Sequence, residues 1–398
     1  MISARKCRRT SYRNLRNSIK ARERVMNDIK NLKKFEDDIE VLSIEDLYDE
    51  EPAPVKKKRK KRRRKKRLPT WQKVLIGVAA TLCVLLVCGV GLYFGFRAVG
   101  EKSLKAEASE NRITYNGKEY QYREDVINIL CLGIDKGEAM EKKIDRRQIL
   151  GMCDAILLVS IDTKKDTLKI IAIPRDTMTD VTMTSETGEV TEKERMQLCY
   201  QYAYGTRAEQ SGELTMETVS KLLYNVPIQK YCAINFTALP IVNDAIGGVD
   251  LVVQEDFSSE IPEFVVGNEV HLEGELALQY VRKRNKHLVD TTVLRTQRQK
   301  QYALAFLEKA KTVVAEDMTL PVTIFQSLQE NMSTNISIAD ITYLVPELLE
   351  MSLSEDIIEM LPGESALGEE FVEFHVDANA MKEMIISTFY EEVDKAKK

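Results

Sequence analysis

The chain has 398 residues, of which 44% are apolar and 30% are charged, so neither a collagen-like chain nor a chain disordered throughout is expected. Its formal net charge of -4 conceals an asymmetry. Lys and Arg exceed Asp and Glu by 15 in residues 1–97 and fall short of them by 19 in residues 98–398. The length predicts two to three domains, and the charge predicts that the two parts meet different surroundings.

Residues 1–73 are highly charged and poor in apolar side chains, so they predict a largely disordered tail with one helix around residues 14–34. Within the tail, Lys56–Arg67 is a run of twelve basic residues. Such a run can bind nucleic acid or the anionic headgroups of a membrane. Because Trp71 and an apolar segment follow closely, we favour anionic membrane lipids and expect no nucleic acid partner.

The segment Val74–Phe96 contains 23 residues without a charge, which is long enough to cross a bilayer. A cleaved signal peptide is disfavoured because the chain before the segment and the apolar stretch itself are both too long. We therefore predict one transmembrane helix that anchors the protein in the cell membrane. The basic residues before it predict a cytoplasmic N-terminus and place the residues after Phe96 outside the cell.

From residue 111 onward, short apolar runs alternate with helical patterns. The predicted strands are Val126–Ile134, Ala155–Ile161, Thr167–Ile173, Ile228–Ile234 and Val249–Val253. The predicted helices are Thr215–Leu223, Thr237–Ile246, Gly274–Val281, Arg295–Val314, Ile338–Met351 and Ala378–Phe389. Strands that are apolar throughout belong to a sheet covered on both faces, so the predicted fold class is α/β, as a sandwich.

The simplest division of this part has three pieces. Residues 97–120 form a linker, residues 121–311 form one domain with the candidate site, and residues 312–398 form a helical extension packed on that domain. Seven cysteines without CxxC spacing and three histidines disfavour a zinc or redox centre.

Two aspartates stand at the ends of neighbouring predicted strands. Asp135 ends the motif LGID after the first strand, and Asp154 ends the motif GMCD before the next one. Carboxylates at the same rim of a sheet can hold a magnesium ion together with substrate phosphates, although each aspartate alone is weak evidence. Arg175 and Asp176 follow the third strand in the motif IPRDT, and by themselves they would be interpreted as a structural ion pair.

A second group of polar residues is rich in arginine. Its members are Arg282, Arg284, Asp290, Arg295, Arg298 and Gln299. Arg295 and Arg298 are three residues apart and share a helix face. Guanidinium groups donate in pairs to phosphate oxygens, so a pyrophosphate or phosphoryl ligand is one interpretation. The other is that these arginines solvate a helix face and pair with surplus acids, and composition favours neither.

The order of the motifs resembles the LytR-CpsA-Psr family. The motifs are LGID, CDAILLVSID, IAIPRDT, YAYG, NFTALPIVNDAIGGVDLVV, LEGELALQYVRKR and DTTVLRTQRQ. They cover residues 126–311, and the stretch from NMSTNIS to LPGE resembles the extension of many members. The resemblance implies an α/β/α sandwich with a central mixed β-sheet flanked by helices, and residues 121–311 as its catalytic domain.

The resemblance also implies an activity. Family members move a glycan phosphate from an undecaprenyl-pyrophosphate carrier to peptidoglycan, attaching wall teichoic acid, capsule or a related polymer, and they enclose the carrier's tail in an apolar tunnel. Two alternatives stay open, a hydrolase of the same carrier and a non-catalytic lipid-sensing regulator of the envelope.

By position, the resemblance assigns roles to individual residues. Asp135 and Asp154 would bind Mg²⁺, and Arg175, Arg282, Arg284 and Arg295 would hold the pyrophosphate. Arg298 and Gln299 would line or brace the site, and Asp176 and Asp290 would orient arginines. The chain departs from the family pattern at Met152, Cys153, Gln197, Cys199, Thr292 and Leu294.

Overall fold

The computed structural model describes residues 88–105, 111–137, 139–140, 150–283, 291–353, 355–369 and 371–393, with residues 291–294, 296 and 355 described by their backbone only. The predicted tail, its basic run Lys56–Arg67 and residues 74–87 of the predicted span lie outside these ranges.

Helix α1 covers residues 88–104. Its first part is exposed, with 63% of Leu92 and 62% of Phe94 accessible, whereas Leu104 at its end is fully buried. Gly100 lies against the backbone of Ala339, where a Cβ atom would come within 2.1 Å of the carbonyl oxygen. Among the residues that the structure describes, none of the helices combines the length and the apolar character needed to cross a membrane.

The remaining elements alternate along the chain. The helices are α2 (Ala208–Leu222), α3 (Ala238–Ala245), α4 (Gly274–Arg282), α5 (Thr291–Glu316), α6 (Leu320–Ser327), α7 (Ile338–Glu350) and α8 (Ala378–Phe389). The strands are β1 (Arg112–Tyr115), β2 (Lys118–Tyr122), β3 (Val126–Ile134), β4 (Cys153–Asp162), β5 (Thr167–Ala172), β6 (Met178–Thr184), β7 (Val190–Gln197), β8 (Lys230–Asn235), β9 (Val249–Val252), β10 (Glu269–Leu272), β11 (Met332–Thr334), β12 (Ile358–Met360), β13 (Gly363–Leu367), β14 (Val372–Val376) and β15 (Tyr390–Glu392).

Six strands form the central sheet in the order β11-β8-β3-β4-β5-β12. Strand β3 runs parallel to β8 and antiparallel to β4, and β12 runs parallel to β5, so the sheet is mixed. Smaller sheets are formed by β1-β2-β15, β9-β10, β13-β14 and the hairpin β6-β7.

Helices cover both faces of the central sheet. Leu130 of β3 lies in one apolar core with Val219 of α2 and Ile385 of α8, whereas Ile129 lies in a second core with Tyr343 of α7. A third core joins β9 and β10 to α4 and α5. Alternate residues of a strand point to opposite faces, which explains why β3 is apolar throughout. The predicted α/β class and covered sheet are confirmed.

The structure also differs from the sequence prediction. Residues 312–398 contain three helices, but they also supply β11 and β12, which are the two edge strands of the central sheet. The extension is therefore not helical alone, and part of it completes the sheet. The predicted linker 97–120 likewise contains the end of α1 and most of the β1-β2 hairpin.

Candidate active site

Asp135 and Asp154 meet at one end of the antiparallel β3-β4 pair. The backbone N–H of Asp135 donates to the carbonyl oxygen of Met152 at 2.9 Å. Ala155 and Cys153 of β4 pair with the consecutive residues Gly133 and Ile134 of β3. Asp154 has no partner on β3 and is therefore the extra residue of a β-bulge. A bulge redirects the side chain of the extra residue. Both aspartates are exposed at this edge of the sheet.

Arg175 reaches the same edge from the loop after β5. Its Nη1 donates to the carboxylate of Asp154, and its Nε lies 3.4 Å from Oδ1 of Asp176. Its Nη2 lies 3.5 Å from Sγ of Cys199. Burial raises the pKa of the Cys199 thiol and outweighs the opposing effect of Arg175, so the thiol stays protonated at neutral pH. Arg175 is thus held between two carboxylates, and the cysteine does not neutralise its charge.

Arg282 approaches from the other side of the edge. It is the last residue of α4, and its Nη2 lies 3.6 Å from Oδ1 of Asp135. Its guanidinium stacks over the ring of Phe236, with 4.3 Å between the guanidinium carbon and the ring centroid. Gly137 packs against the same ring, where a Cβ atom would come within 2.8 Å of a ring carbon. Half of the Arg282 side chain is exposed, so it can also bind a ligand.

Arg298 lies inside the protein, with 1% of its side chain exposed. Its Nε donates to the carbonyl oxygen of Tyr280 at 3.0 Å, its Nη2 donates to that of Lys283, and its Nη1 donates to the carboxylate of Glu255. The guanidinium also stacks on Phe257, 4.7 Å from the ring centroid. Its contacts fix the C-terminal end of α4. Arg298 therefore holds the segment that carries Arg282 in place.

The other arginine-motif residues differ in what the structure describes. The Gln299 side chain donates to the carbonyl oxygen of Val281 at 3.2 Å. Arg295 is partly buried in the first turns of α5. Arg284 and Asp290 lie outside the described residues.

Asp176 is supported by residues that the sequence did not single out for this purpose. Gln197 donates to Oδ1 of Asp176 at 3.2 Å and to the carbonyl oxygen of Val372 at 2.6 Å. The backbone N–H of Phe374 donates to the carbonyl oxygen of Asp176 at 2.8 Å. Strand β14 of the extension therefore fixes the loop that carries Arg175. The sequence singled out Gln197 only as a departure from the family pattern and Phe236 only as part of the motif that begins at Asn235, and Glu255 carried no local signal.

Partly exposed apolar side chains from the central sheet, from α5 and from the loop before α7 pack against the second core. They lie at the border of the second core and are Cys131, Leu157, Val159, Leu304, Leu307 and Ile336. Their incomplete burial is unusual for the inner face of a sheet that helices cover. This border offers an apolar surface between two layers.

The two aspartates suit a cation that is shared with a ligand. Magnesium sites commonly use one or two carboxylates together with substrate phosphates and water. In the described ranges, no cluster of three or more His, Cys, Asp or Glu side chains could hold a metal ion. Asp135 and Asp154 are two exposed carboxylates at one edge, which matches the number of protein ligands in such a shared site.

Two proteins named as teichoic acid transferases are similar to this chain in sequence. The chain is 29% identical over 303 residues to the polyisoprenyl-teichoic acid--peptidoglycan teichoic acid transferase TagT of Bacillus subtilis (strain 168), covering 73% of this chain and 85% of TagT. It is 28% identical over 267 residues to the enzyme named TagV of the same organism, and there it spans only 63% of the relative's length.

Two solved structures show the same fold. The crystal structure of B. subtilis TagV matches with a TM-score of 0.50 at 26% identity, over 67% of this chain and 98% of that one. The structure of TagT bound to LIIa-WTA matches with a TM-score of 0.50 at 23% identity, over 71% and 95%. The LytR_cpsA_psr family model matches residues 91–387, which is most of the chain. The protein therefore belongs to the LytR_cpsA_psr family.

Proposed function

We propose that the protein transfers a glycan phosphate from an undecaprenyl-pyrophosphate carrier to a hydroxyl group of peptidoglycan. The polymer is wall teichoic acid, capsule or a related glycan. The relatives are named as transferases of teichoic acid from a polyisoprenyl carrier to peptidoglycan. The observation that carries the proposal is the pairing of Asp154 with Arg175 and of Asp135 with Arg282 at one edge of the sheet.

This pairing brings two carboxylates and two guanidiniums to an exposed edge of the sheet, which supports a pyrophosphate site there. Arg175 and Arg282 keep parts of their side chains exposed, so both can turn from a carboxylate to phosphate oxygens. Phosphate accepts paired hydrogen bonds from a planar guanidinium. Arg284 and Arg295 are proposed to add to the same ligand, while Arg298 and Gln299 hold the backbone before them.

The reaction exchanges a phosphoanhydride bond for a phosphate ester bond. A peptidoglycan hydroxyl attacks the phosphorus next to the glycan, a new P–O bond forms, and the bond between the two phosphates breaks. Undecaprenyl phosphate leaves with the bonding electron pair, and negative charge grows on the oxygens that Arg175 and Arg282 contact. One of the two carboxylates, Asp135 or Asp154, can accept the proton of the hydroxyl. No side-chain nucleophile is required.

Asp135 and Asp154 are proposed to hold a magnesium ion. When bound, the ion supplies further positive charge to the pyrophosphate oxygens. Asp176, held by Gln197 and by the backbone of β14, keeps Arg175 oriented. Asp290 is proposed to do the same for another arginine of the motif.

The lipid part of the carrier requires an apolar surface near the site. We propose that the partly buried side chains at the border of the second core supply it, since Cys131, Leu157 and Val159 lie on the two strands whose ends carry the aspartates. We propose that Val74–Phe96 anchors the chain in the cell membrane as a single span, with the N-terminus in the cytoplasm and the catalytic domain outside. Anionic lipids would then meet Lys56–Arg67.

Incubation of the full-length protein in detergent with Mg²⁺ and a radiolabelled polyprenyl-pyrophosphate glycan tests the proposal. With added peptidoglycan, we expect the label to become covalently attached to it, and Arg282→Ala to abolish the attachment. Free glycan phosphate that forms at the same rate with and without peptidoglycan would instead indicate a hydrolase. Carrier binding without either product would indicate a lipid-sensing regulator. Arg112→Lys, on the exposed β1 strand, is the matched control.

A further inference from the structure

Strand β7 separates its charges by face. Its sequence alternates Glu192, Lys193, Glu194 and Arg195. Successive side chains of a strand point to opposite faces, so the two cations share one face with Gln197 and the two glutamates share the other. The pairing with β6 places Asp180 opposite Arg195. One face of this hairpin is therefore basic, although residues 98–398 as a whole have more acidic than basic side chains.

The basic face borders a concavity of about 300 Å³. Lys193 and Arg195 line it from β7, Lys221 lines it from the end of α2, and His375 lines it from β14. Three elements that are far apart in sequence thus contribute basic side chains to one space. Exposed charges that served only solubility would not have to lie around one concavity.

Arg195, Lys221 and His375 each pair with a carboxylate near the concavity, so an incoming anion has to compete with these three pairs. Asp180 is part of the lining, but its oxygen is 4.0 Å from Nη1 of Arg195, and 71% and 64% of these side chains are exposed. Glu217 pairs with Lys221 one helical turn away. Glu373 lies 2.9 Å from Nε2 of His375. Exposed pairs of this kind are weak, so an anion with several charges can compete with them.

The basic face begins beyond Gln197, a buried residue that lies next to the candidate active site. Arg175 contacts Asp176, and Asp176 accepts a hydrogen bond from Gln197, the last residue of β7. Arg195 and Lys193 follow on the same face at steps of roughly 7 Å along the strand. A linear polyanion that leaves the Arg175 site along this hairpin would therefore meet positive charge at successive positions.

We propose that this concavity binds phosphodiester groups of the glycopolymer at a distance from the bond that breaks. The inference rests on the proposed function and narrows its substrate class to anionic polymers whose repeating units are joined by phosphate. Guanidinium and ammonium groups on one face suit phosphate oxygens, whereas an uncharged glycan would gain no electrostatic attraction from them.

Binding of a short poly(glycerol phosphate) oligomer to the full-length protein in detergent, measured by isothermal titration calorimetry, tests the site separately from catalysis. The oligomer has neither lipid nor pyrophosphate. We expect the double variant Lys193→Gln/Arg195→Gln to weaken binding by about tenfold or more. The matched control Glu192→Gln/Glu194→Gln changes the opposite face of the same strand, and it should bind at least as well as the unaltered protein. Equal affinity in the first variant, or an equal loss in the control, would overturn the proposal.

A kinetic arm connects the site to the reaction. With a carrier-linked polymer that contains phosphodiesters, Lys193→Gln/Arg195→Gln should raise KM with little change in kcat, and with a carrier-linked uncharged glycan it should change neither. A similar KM increase for both substrates would contradict binding of polymer phosphates. If the protein transfers neither substrate while oligomer binding still depends on Lys193 and Arg195, the proposed function fails and the binding site stands.

Discussion

Glu255 and Arg298 form a buried ion pair between residues 43 positions apart, with 8% and 1% of their side chains exposed. Removal of one partner from such a pair leaves the other charge buried without compensation. We expect Glu255→Ala to lower the free energy of unfolding by about 3–5 kcal/mol. Urea denaturation of the full-length protein in detergent, monitored by circular dichroism, measures the change.

The chain offers a matched control for this prediction. Glu260 pairs with Lys283 at 2.5 Å, but 61% of the Glu260 side chain is exposed. We expect Glu260→Ala to cost only about 0–1 kcal/mol, because water screens and replaces an exposed pair. An equal loss in both variants would show that the Glu255–Arg298 pair does not stabilise the fold more than a surface contact does.

The second prediction concerns the planar guanidinium group of Arg175. Its three nitrogens contact Asp154, Asp176 and Cys199, an arrangement that a lysine ammonium cannot reproduce. We expect Arg175→Lys to lower kcat/KM for glycan transfer by about 10²-fold, as loss of one transition-state donor does in other enzymes. Activity within about twofold of the unaltered protein would show that charge alone is sufficient. Unchanged thermal unfolding should accompany the loss.

The third prediction tests the cation. We expect chelation with EDTA to stop transfer and added Mg²⁺ to restore it. Asp135→Asn and Asp154→Asn should raise the Mg²⁺ concentration that gives half-maximal activity, because each removes one carboxylate ligand. Asp356→Asn, at an exposed position, is the control and should leave the Mg²⁺ dependence unchanged. Transfer that persists in EDTA would remove the metal from the proposal.

The central strands could be predicted from sequence because burial on both faces makes them apolar. The range Val126–Ile134 agrees with β3 at both ends, and α8 agrees with Ala378–Phe389. The β6-β7 hairpin was missed because half of the residues of β7 are charged and most are exposed, so the strand lacks an apolar period. Strands β11 and β12 have three residues each, and their pairing partners are distant in sequence.

The candidate site shows a similar division. Asp135, Asp154, Arg175 and Arg282 carry motif signals, and the structure places them at one edge of the sheet. Composition could not distinguish Arg282 from Arg298, since both are motif arginines, and only the family resemblance gave them different roles. Their different environments arise from Glu255, whose contact with Arg298 spans 43 positions and leaves no local pattern.

The fourth prediction is a pH dependence of stability. Asp340 is fully buried, and its Oδ2 accepts hydrogen bonds from Ser337 at 2.7 and 2.8 Å and lies 3.0 Å from Nζ of Lys230. Burial tends to raise the pKa of Asp340, but these partners outweigh it and hold the pKa below its usual 3.8. The ionised carboxylate therefore stabilises the folded protein at pH values above 3.8. This stabilisation is lost as the pH falls through the lowered pKa of Asp340 in the folded protein.

Asp340→Asn should accordingly destabilise the protein by about 1–3 kcal/mol at pH 7. The difference from the unaltered protein should shrink as the pH falls below the usual aspartate pKa of 3.8. Urea denaturation of both proteins across this range measures it. A difference that stays constant with pH would mean that the ionised form of Asp340 does not supply the stability.

The most direct test of phosphotransfer uses a carrier labelled in two places, with ³²P at the phosphorus next to the glycan and ³H in the glycan. After reaction with peptidoglycan, we expect both labels to enter peptidoglycan in equal amounts and unlabelled undecaprenyl phosphate to be released. Entry of ³H without ³²P would mean that the sugar–oxygen bond is broken instead. That result would contradict attack on phosphorus at the Asp135, Asp154, Arg175 and Arg282 edge.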